Sequence, residues 1–109
     1  MSNIIGRFYF KMTKTGNLIG EYSNGGMKEV KTESADAISK NQGFVGTYHS
    51  TWAEGNKIDL TTLHINHKPD TTNKIYSLEW KDQSNTIIFW GEGMLVDDLL
   101  IGDYRDFKS

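Results

Sequence analysis

Tyr22, Tyr48, Trp52, Tyr76, Trp80 and Tyr104 are the side chains of this sequence best suited to recognising a ligand. Tyrosine and tryptophan each join a flat apolar body to one polar tip. Ligand cavities are built mainly from apolar walls with a few polar groups that fix orientation. Tyr48 and Trp52, and again Tyr76 and Trp80, are four residues apart, which on a strand keeps both rings on one face. The chemistry these residues offer is noncovalent: packing around a flat or elongated apolar ligand, with hydroxyl and indole groups to orient it.

Other reactive groups are sparser. His64 and His67 are three apart, so on a strand they point to opposite faces and make a poor metal pair. His49 sits between Tyr48 and Ser50 and has outward parity. The chain contains no cysteine, which removes disulfides, thiolate metal sites and a cysteine nucleophile. Glu79 and Glu92 have outward parity, and Asp97-Asp98 reads as a turn. No Ser-His-Asp spacing, phosphate loop or paired inward carboxylate is visible. An enzyme would have to work through tyrosine hydroxyls, Arg7, or a carboxylate at a barrel mouth such as Asp103 or Asp106. The expectation is therefore non-enzymatic binding of a small apolar or aromatic ligand, with no metal and no cofactor.

The elements that must hold these rings are marked by a repeat. Two apolar residues, a glycine, any residue and an aromatic occur as Ile4–Phe8, Leu18–Tyr22, Phe44–Tyr48 and Leu100–Tyr104. The starts are 14, 26 and 56 residues apart, near one, two and four steps of about 14, roughly a strand and a turn. Split by strand parity, each copy places its first apolar residue, its glycine and its aromatic on one face. The other face carries Arg7, Glu21, Thr47 and Asp103, so it meets solvent and the glycine-aromatic face points inward. A glycine in mid-strand packs nothing, but repeated on one face it lets a sheet curl toward that face and leaves room for a ring. The inner face collects Phe8, Phe44 and Phe89 beside the six rings named above.

The remaining segments fill a ladder. Thr15-Gly16-Asn17 turns the first strand into the second, and Gly25-Gly26 closes the second. Residues 27–42 are ambiguous: Met27–Thr32 could form a strand, and Glu33–Lys40 a short helix or a loop. A fourth strand runs from Phe44 to about Trp52, and Gly55-Asn56 turns it. Along Lys57–His67 the apolar phase slips, with Ile58 and Leu60 on one parity and Leu63 and Ile65 on the other, which predicts a bulge near Thr61-Thr62. Strands follow over Ile75–Lys81, Thr86–Val96 and Leu99–Phe107. Eight strands joined mostly by tight turns predict one all-β domain over residues 1–109, an up-and-down antiparallel barrel, with a two-sheet sandwich as the alternative.

The seventh strand is apolar on both parities. With Gly91 and Gly93 inward, Ile88, Trp90, Met94 and Val96 face outward, and such a patch predicts an interface, here a homo-oligomer. A filled barrel that recognises a protein through this face is the alternative function. The formal charge of −2 is spread along the chain, which gives no footprint for nucleic acid or an anionic membrane. The start of the chain lacks a signal-peptide pattern, and no apolar run approaches the roughly 20 residues of a membrane helix. A cytoplasmic location follows, unless a leader has been trimmed.

The stretches Gly46-Thr-Tyr-His-Ser-Thr-Trp52 and Tyr76–Tyr104 resemble small bacterial calycin-like barrels, the superfamily of lipocalins, fatty-acid-binding proteins and avidins. That resemblance implies an eight-stranded barrel with an interior ligand. Gly46–Ser50 is similar to the avidin strand whose tyrosine and serine hydrogen-bond a ligand oxygen, which implies roles for Tyr48 and Ser50. The first strand departs from the lipocalin Gly-x-Trp pattern with Gly6-Arg7-Phe8.

Overall fold

Buried and exposed side chains alternate along most of the strands, as the parity of the repeat requires. The computed structural model describes residues 4–38, 42–54, 57–72 and 74–106. Its strands are β1 (Ile5–Met12), β2 (Leu18–Asn24), β3 (Lys31–Ala37), β4 (Gly46–Glu54), β5 (Lys57–His67), β6 (Ile75–Lys81), β7 (Ile87–Val96) and β8 (Leu99–Asp106). Each pairs antiparallel with the next, and β8 returns to β1, so the sheet closes into an up-and-down barrel. Eight strands enclose an interior just wide enough for side chains or one small ligand.

The glycines of the repeat have a definite job in this closure. Three of them lie across the ladder from a ring: Gly20 faces Phe10, Gly102 faces Phe8 and Gly6 faces Tyr104, while Gly46 faces Ile65; outside the repeat, Gly91 also faces Tyr104 and Gly93 faces Tyr76. The ring covers the space that the missing side chain leaves, a cross-strand pairing that pins register in curved sheets. At Gly20 a Cβ would lie 2.9 Å from the Phe10 ring and 3.1 Å from the Tyr9 carbonyl carbon. At Gly102 it would lie 2.7 Å from the Gly93 Cα and collide with the Glu92 carbonyl oxygen. These are points where neighbouring backbones close on each other, and no larger residue fits.

One half of the interior is packed solid. Phe10, Leu18, Leu63, Ile65, Leu78 and Leu100 are all 0–1 % exposed. Phe44, in the connection between β3 and β4, closes that end, with its ring 6.3 Å from Tyr76. The buried Tyr48 hydroxyl donates to the Phe44 carbonyl oxygen at 2.9 Å and holds the plug in place. Burial pushes the Tyr48 phenol up to about 12, as expected of a neutral structural donor. Tyr48→Phe is expected to cost about 1 kcal/mol of stability, the usual worth of such a bond, in a urea melt, with the opposite end of the barrel unaffected.

Three expectations change. Residues Lys31–Ala37 form a full strand, neither helix nor loop, because β2 and β4 impose a register on both sides of it: Leu18 opposite Ala35, and Ala35 opposite Ser50. No bulge interrupts β5, whose pairing with β4 is continuous. Ile58 and Leu60 instead face outward, 65 % and 53 % exposed, while Thr61 is buried inside with Leu63 and Ile65. The irregularity lies between β6 and β7, where the register shifts at Trp80/Lys81. That shift turns Ile88 off the outer face toward the interior, while Trp90, Met94 and Val96 stay exposed. The expected Gly55-Asn56 turn and the extension of the last strand to Phe107 lie outside the described residues.

Candidate functional site

The half of the barrel opposite Phe44 contains a cavity of about 180 Å³. It lies where even-numbered strands end and odd-numbered strands begin, so each wall residue comes from a strand terminus. Tyr22 is near the end of β2, Trp52 near the end of β4, Phe89 near the start of β7, and Tyr104 near the end of β8. Their rings form a closed circuit. Trp52 and Tyr22 are 6.5 Å apart, Tyr22 and Tyr104 6.3 Å, Tyr104 and Phe89 5.6 Å, and Phe89 and Trp52 6.0 Å. Neighbouring planes cross at 68–87°, so the rings are arranged like the walls of a box. Ile4 and Ile88 complete the apolar lining.

Polar groups converge from the strands between these walls. β3 is poor in β-formers, but its alternation is strict: Glu33 and Ala35 are buried, and Thr32, Ser34 and Asp36 are exposed. Glu33 stands opposite Trp52 in the ladder and reaches into the cavity. The Ser50 hydroxyl donates to Glu33 Oε2, and the Trp80 indole N–H donates to the same oxygen at 2.8 Å. No hydrogen bond among the described residues reaches Oε1. Burial pushes the Glu33 carboxyl up to about 7, against the two donors, which favour the ionised form. Desolvation wins because neutral donors offset only part of the cost of taking a carboxylate out of water.

Asn24 and Asp59 also line the cavity. Asn24 Nδ2 donates to the Tyr104 hydroxyl at 3.1 Å, and Asn24 Oδ1 accepts from the Gly26 backbone N–H at 3.1 Å, which fixes the amide and the phenol together. Thr61, opposite Ser50 in the ladder, is 6 % exposed, and its hydroxyl has no hydrogen-bond partner among the described residues. The strand termini therefore combine an aromatic box with a buried carboxylate.

Comparison with protein-family models, with curated proteins and with solved structures finds no match to this chain.

Of the residues singled out in the sequence, Tyr22, Trp52, Trp80 and Tyr104 line the cavity together. Ser50 lies beneath it, 1 % exposed and engaged by Glu33, so it presents no nucleophile to the cavity. Tyr48 and Tyr76 belong to the packed half. Glu33 and Asp59 are inward carboxylates that the sequence reading did not place. The signal for Glu33 is the parity it shares with Ala35 and Ala37, two and four residues on, inside an otherwise polar segment. For Asp59 it was the parity shared with Leu63 and Ile65. No group of three or more His, Asp or Glu residues that could hold a metal ion occurs among the described residues.

Proposed function

We propose that this protein is a non-enzymatic binding module that takes one small, mainly aromatic or apolar ligand into the open half of its barrel. The observation that carries this reading is the asymmetry of the interior. A β-barrel with aromatic residues inside is compatible with ligand binding, and here one half is filled while the other leaves a ring-walled space. Trp52 and Trp80 stand in that wall, so a ligand is expected to change their fluorescence. The test is native mass spectrometry of freshly purified protein, followed by fluorescence titration with small aromatic compounds. Quenching that weakens at least about tenfold in Trp52→Ala, about 1.4 kcal/mol of affinity, supports the reading. No bound mass and no saturable quenching by any compound defeats it.

A second reading concerns the outer surface. Trp90, Met94 and Val96 on β7 are 37 %, 57 % and 39 % exposed. The register continues this strip across β8 and β1, since Met94 pairs with Ile101 and Ile101 with Tyr9, and both are exposed. Such contiguous apolar surface favours association of two barrels through this face. Light scattering is expected to give a dimer at micromolar concentration, and the double variant Trp90→Glu/Met94→Glu a monomer with an unchanged melting temperature. A monomeric wild-type protein rules the dimer out.

A further inference from the structure

The open cavity has walls of one kind and charge of another. Its four-ring circuit has sides of about 6 Å; for a square of that side the centre is roughly 4 Å from each centroid, inside the ~6 Å over which an aromatic face attracts a cation. The ionisable side chains that line it with acid chemistry are Glu33 from β3 and Asp59 from β5; Tyr22 from β2 and Tyr104 from β8 supply phenols. No lysine, arginine or histidine among the described residues lines it. Glu33 is only 7 % exposed, and both of its hydrogen bonds go to Oε2. Among the described residues, its second oxygen has neither a hydrogen-bond donor nor a countercharge.

Three ligand classes can be compared against these groups. An anion would meet two carboxyl groups, with no cationic side chain among the described lining residues to offset them. A neutral aromatic compound would fill the box and through a hydroxyl can hydrogen-bond Oε1, but it brings no countercharge to the ionised carboxyl, which is costly for a buried charge. A protonated amine supplies the missing donor and the missing charge, and its N–H⁺ group is what an aromatic box attracts.

We propose that the ligand is a small organic cation, a protonated amine carried on an aromatic or alkyl body, whose N–H donates to Glu33 Oε1 inside the box of Trp52, Tyr22, Tyr104 and Phe89. This rests on the ligand-binding reading above and names the ligand's chemical class. It also has a consequence for pH. The amine is held by ionised Glu33, and that carboxyl titrates at about 7, so binding releases the proton that Glu33 holds in acid. Affinity is then about a hundredfold weaker at pH 5 than at pH 8, the ratio of ionised fractions for such a group. A ligand that accepts a hydrogen bond from neutral Glu33 would show the opposite trend.

The test is calorimetric titration with phenethylamine, phenethyl alcohol and phenylacetate, which share one body and differ in charge. At pH 8 the amine is expected to bind at least about tenfold more tightly than the alcohol, and phenylacetate more weakly than both. Glu33→Gln keeps an acceptor for Ser50 and Trp80 but no charge, so the preference for amine over alcohol should shrink to what the rings and Asp59 supply, and the roughly hundredfold pH dependence between 5 and 8 should be lost. The wild-type pH profile gives an independent readout should that variant fold poorly. Alcohol or phenylacetate binding as tightly as the amine overturns the cation assignment and leaves ligand binding standing. Failure of all three compounds to bind overturns both.

Discussion

Glu33→Gln is expected to stabilise the empty barrel at pH 8 by on the order of 3 kcal/mol, and to leave its stability at pH 4 nearly unchanged. The carboxyl moves from an ordinary 4.5 to about 7 on folding, and each unit of such a difference corresponds to about 1.36 kcal/mol. The sign follows from which state holds the proton more tightly. Below about 4.5 the residue is neutral in both states and folding costs nothing extra. As pH rises from there to about 7, the unfolded chain has released its proton and the folded chain still holds it, so stability falls. Above 7 the folded barrel carries the full cost of a buried, unpaired carboxylate. Gln lacks this titration but still accepts from Ser50 and Trp80, and its stability should be flat across the same interval. Urea melts of both proteins at pH 4, 6 and 8 measure the difference directly. A wild-type barrel as stable at pH 8 as at pH 4, relative to the variant, would show that the ionised carboxylate is already compensated within the empty fold.

This cost bears on the site. A residue expected to weaken the empty fold above pH 7 is hard to account for by architecture alone, since Gln on β3 would accept from Ser50 and Trp80 and close the sheet equally well. Proteins accept such losses where a group is needed in a strained or desolvated state for function. An ammonium ligand offsets the loss by pairing with the carboxylate, so binding and stability should be coupled: phenethylamine is expected to raise the melting temperature of wild type at pH 8 and to have little effect on Glu33→Gln.

The barrel was legible because its signal is redundant. The Gly-x-aromatic copies at Gly6, Gly20, Gly46 and Gly102 mark both strand phase and inward face, and the turns Thr15–Asn17, Gln83–Asn85 and Asp97-Asp98 have the residue types their backbones need. Asn85 and Asp97 have positive φ, at 66° and 53°, where Asn and Asp are among the tolerated side chains. The site was legible only in its aromatic half. Glu33 was hidden because Lys31–Ala37 has little intrinsic β preference; its conformation comes from the neighbours on both sides, a nonlocal effect that no window of sequence contains. On β5 the assumption that apolar means inward failed at Ile58 and Leu60. Near the open end β5 turns its polar side chains Asp59 and Thr61 inward, so its hydrophobic phase reverses while the backbone stays regular. Ile88 was misplaced for a third reason, since a single register shift at Trp80/Lys81 changes which residues of β7 face the interior.

Gly102→Ala is expected to cost on the order of 4 kcal/mol or to leave no folded protein, near the upper end of single-residue effects. Gly102 pairs with Phe8 on one side and with Gly93 on the other. Its Cβ would collide with the Glu92 carbonyl oxygen and lie 2.7 Å from the Gly93 Cα. Both obstacles are backbone atoms, so no rotamer change relieves them, and β7 and β8 must separate. The matched control is Gly25→Ala, where an added Cβ meets nothing within 4 Å and the expected change is within about 0.5 kcal/mol. Unlike the loss at Glu33, the loss at Gly102 is steric and should be the same at pH 4 and pH 8. It also reaches the site, because Phe89 and Tyr104 lie on the two strands that are forced apart. If any folded Gly102→Ala is recovered, the circuit of rings is broken between them, and phenethylamine binding should fall with Glu33 still present. A variant that folds with wild-type stability would mean that close approach of the strands at this glycine is not what closes the barrel.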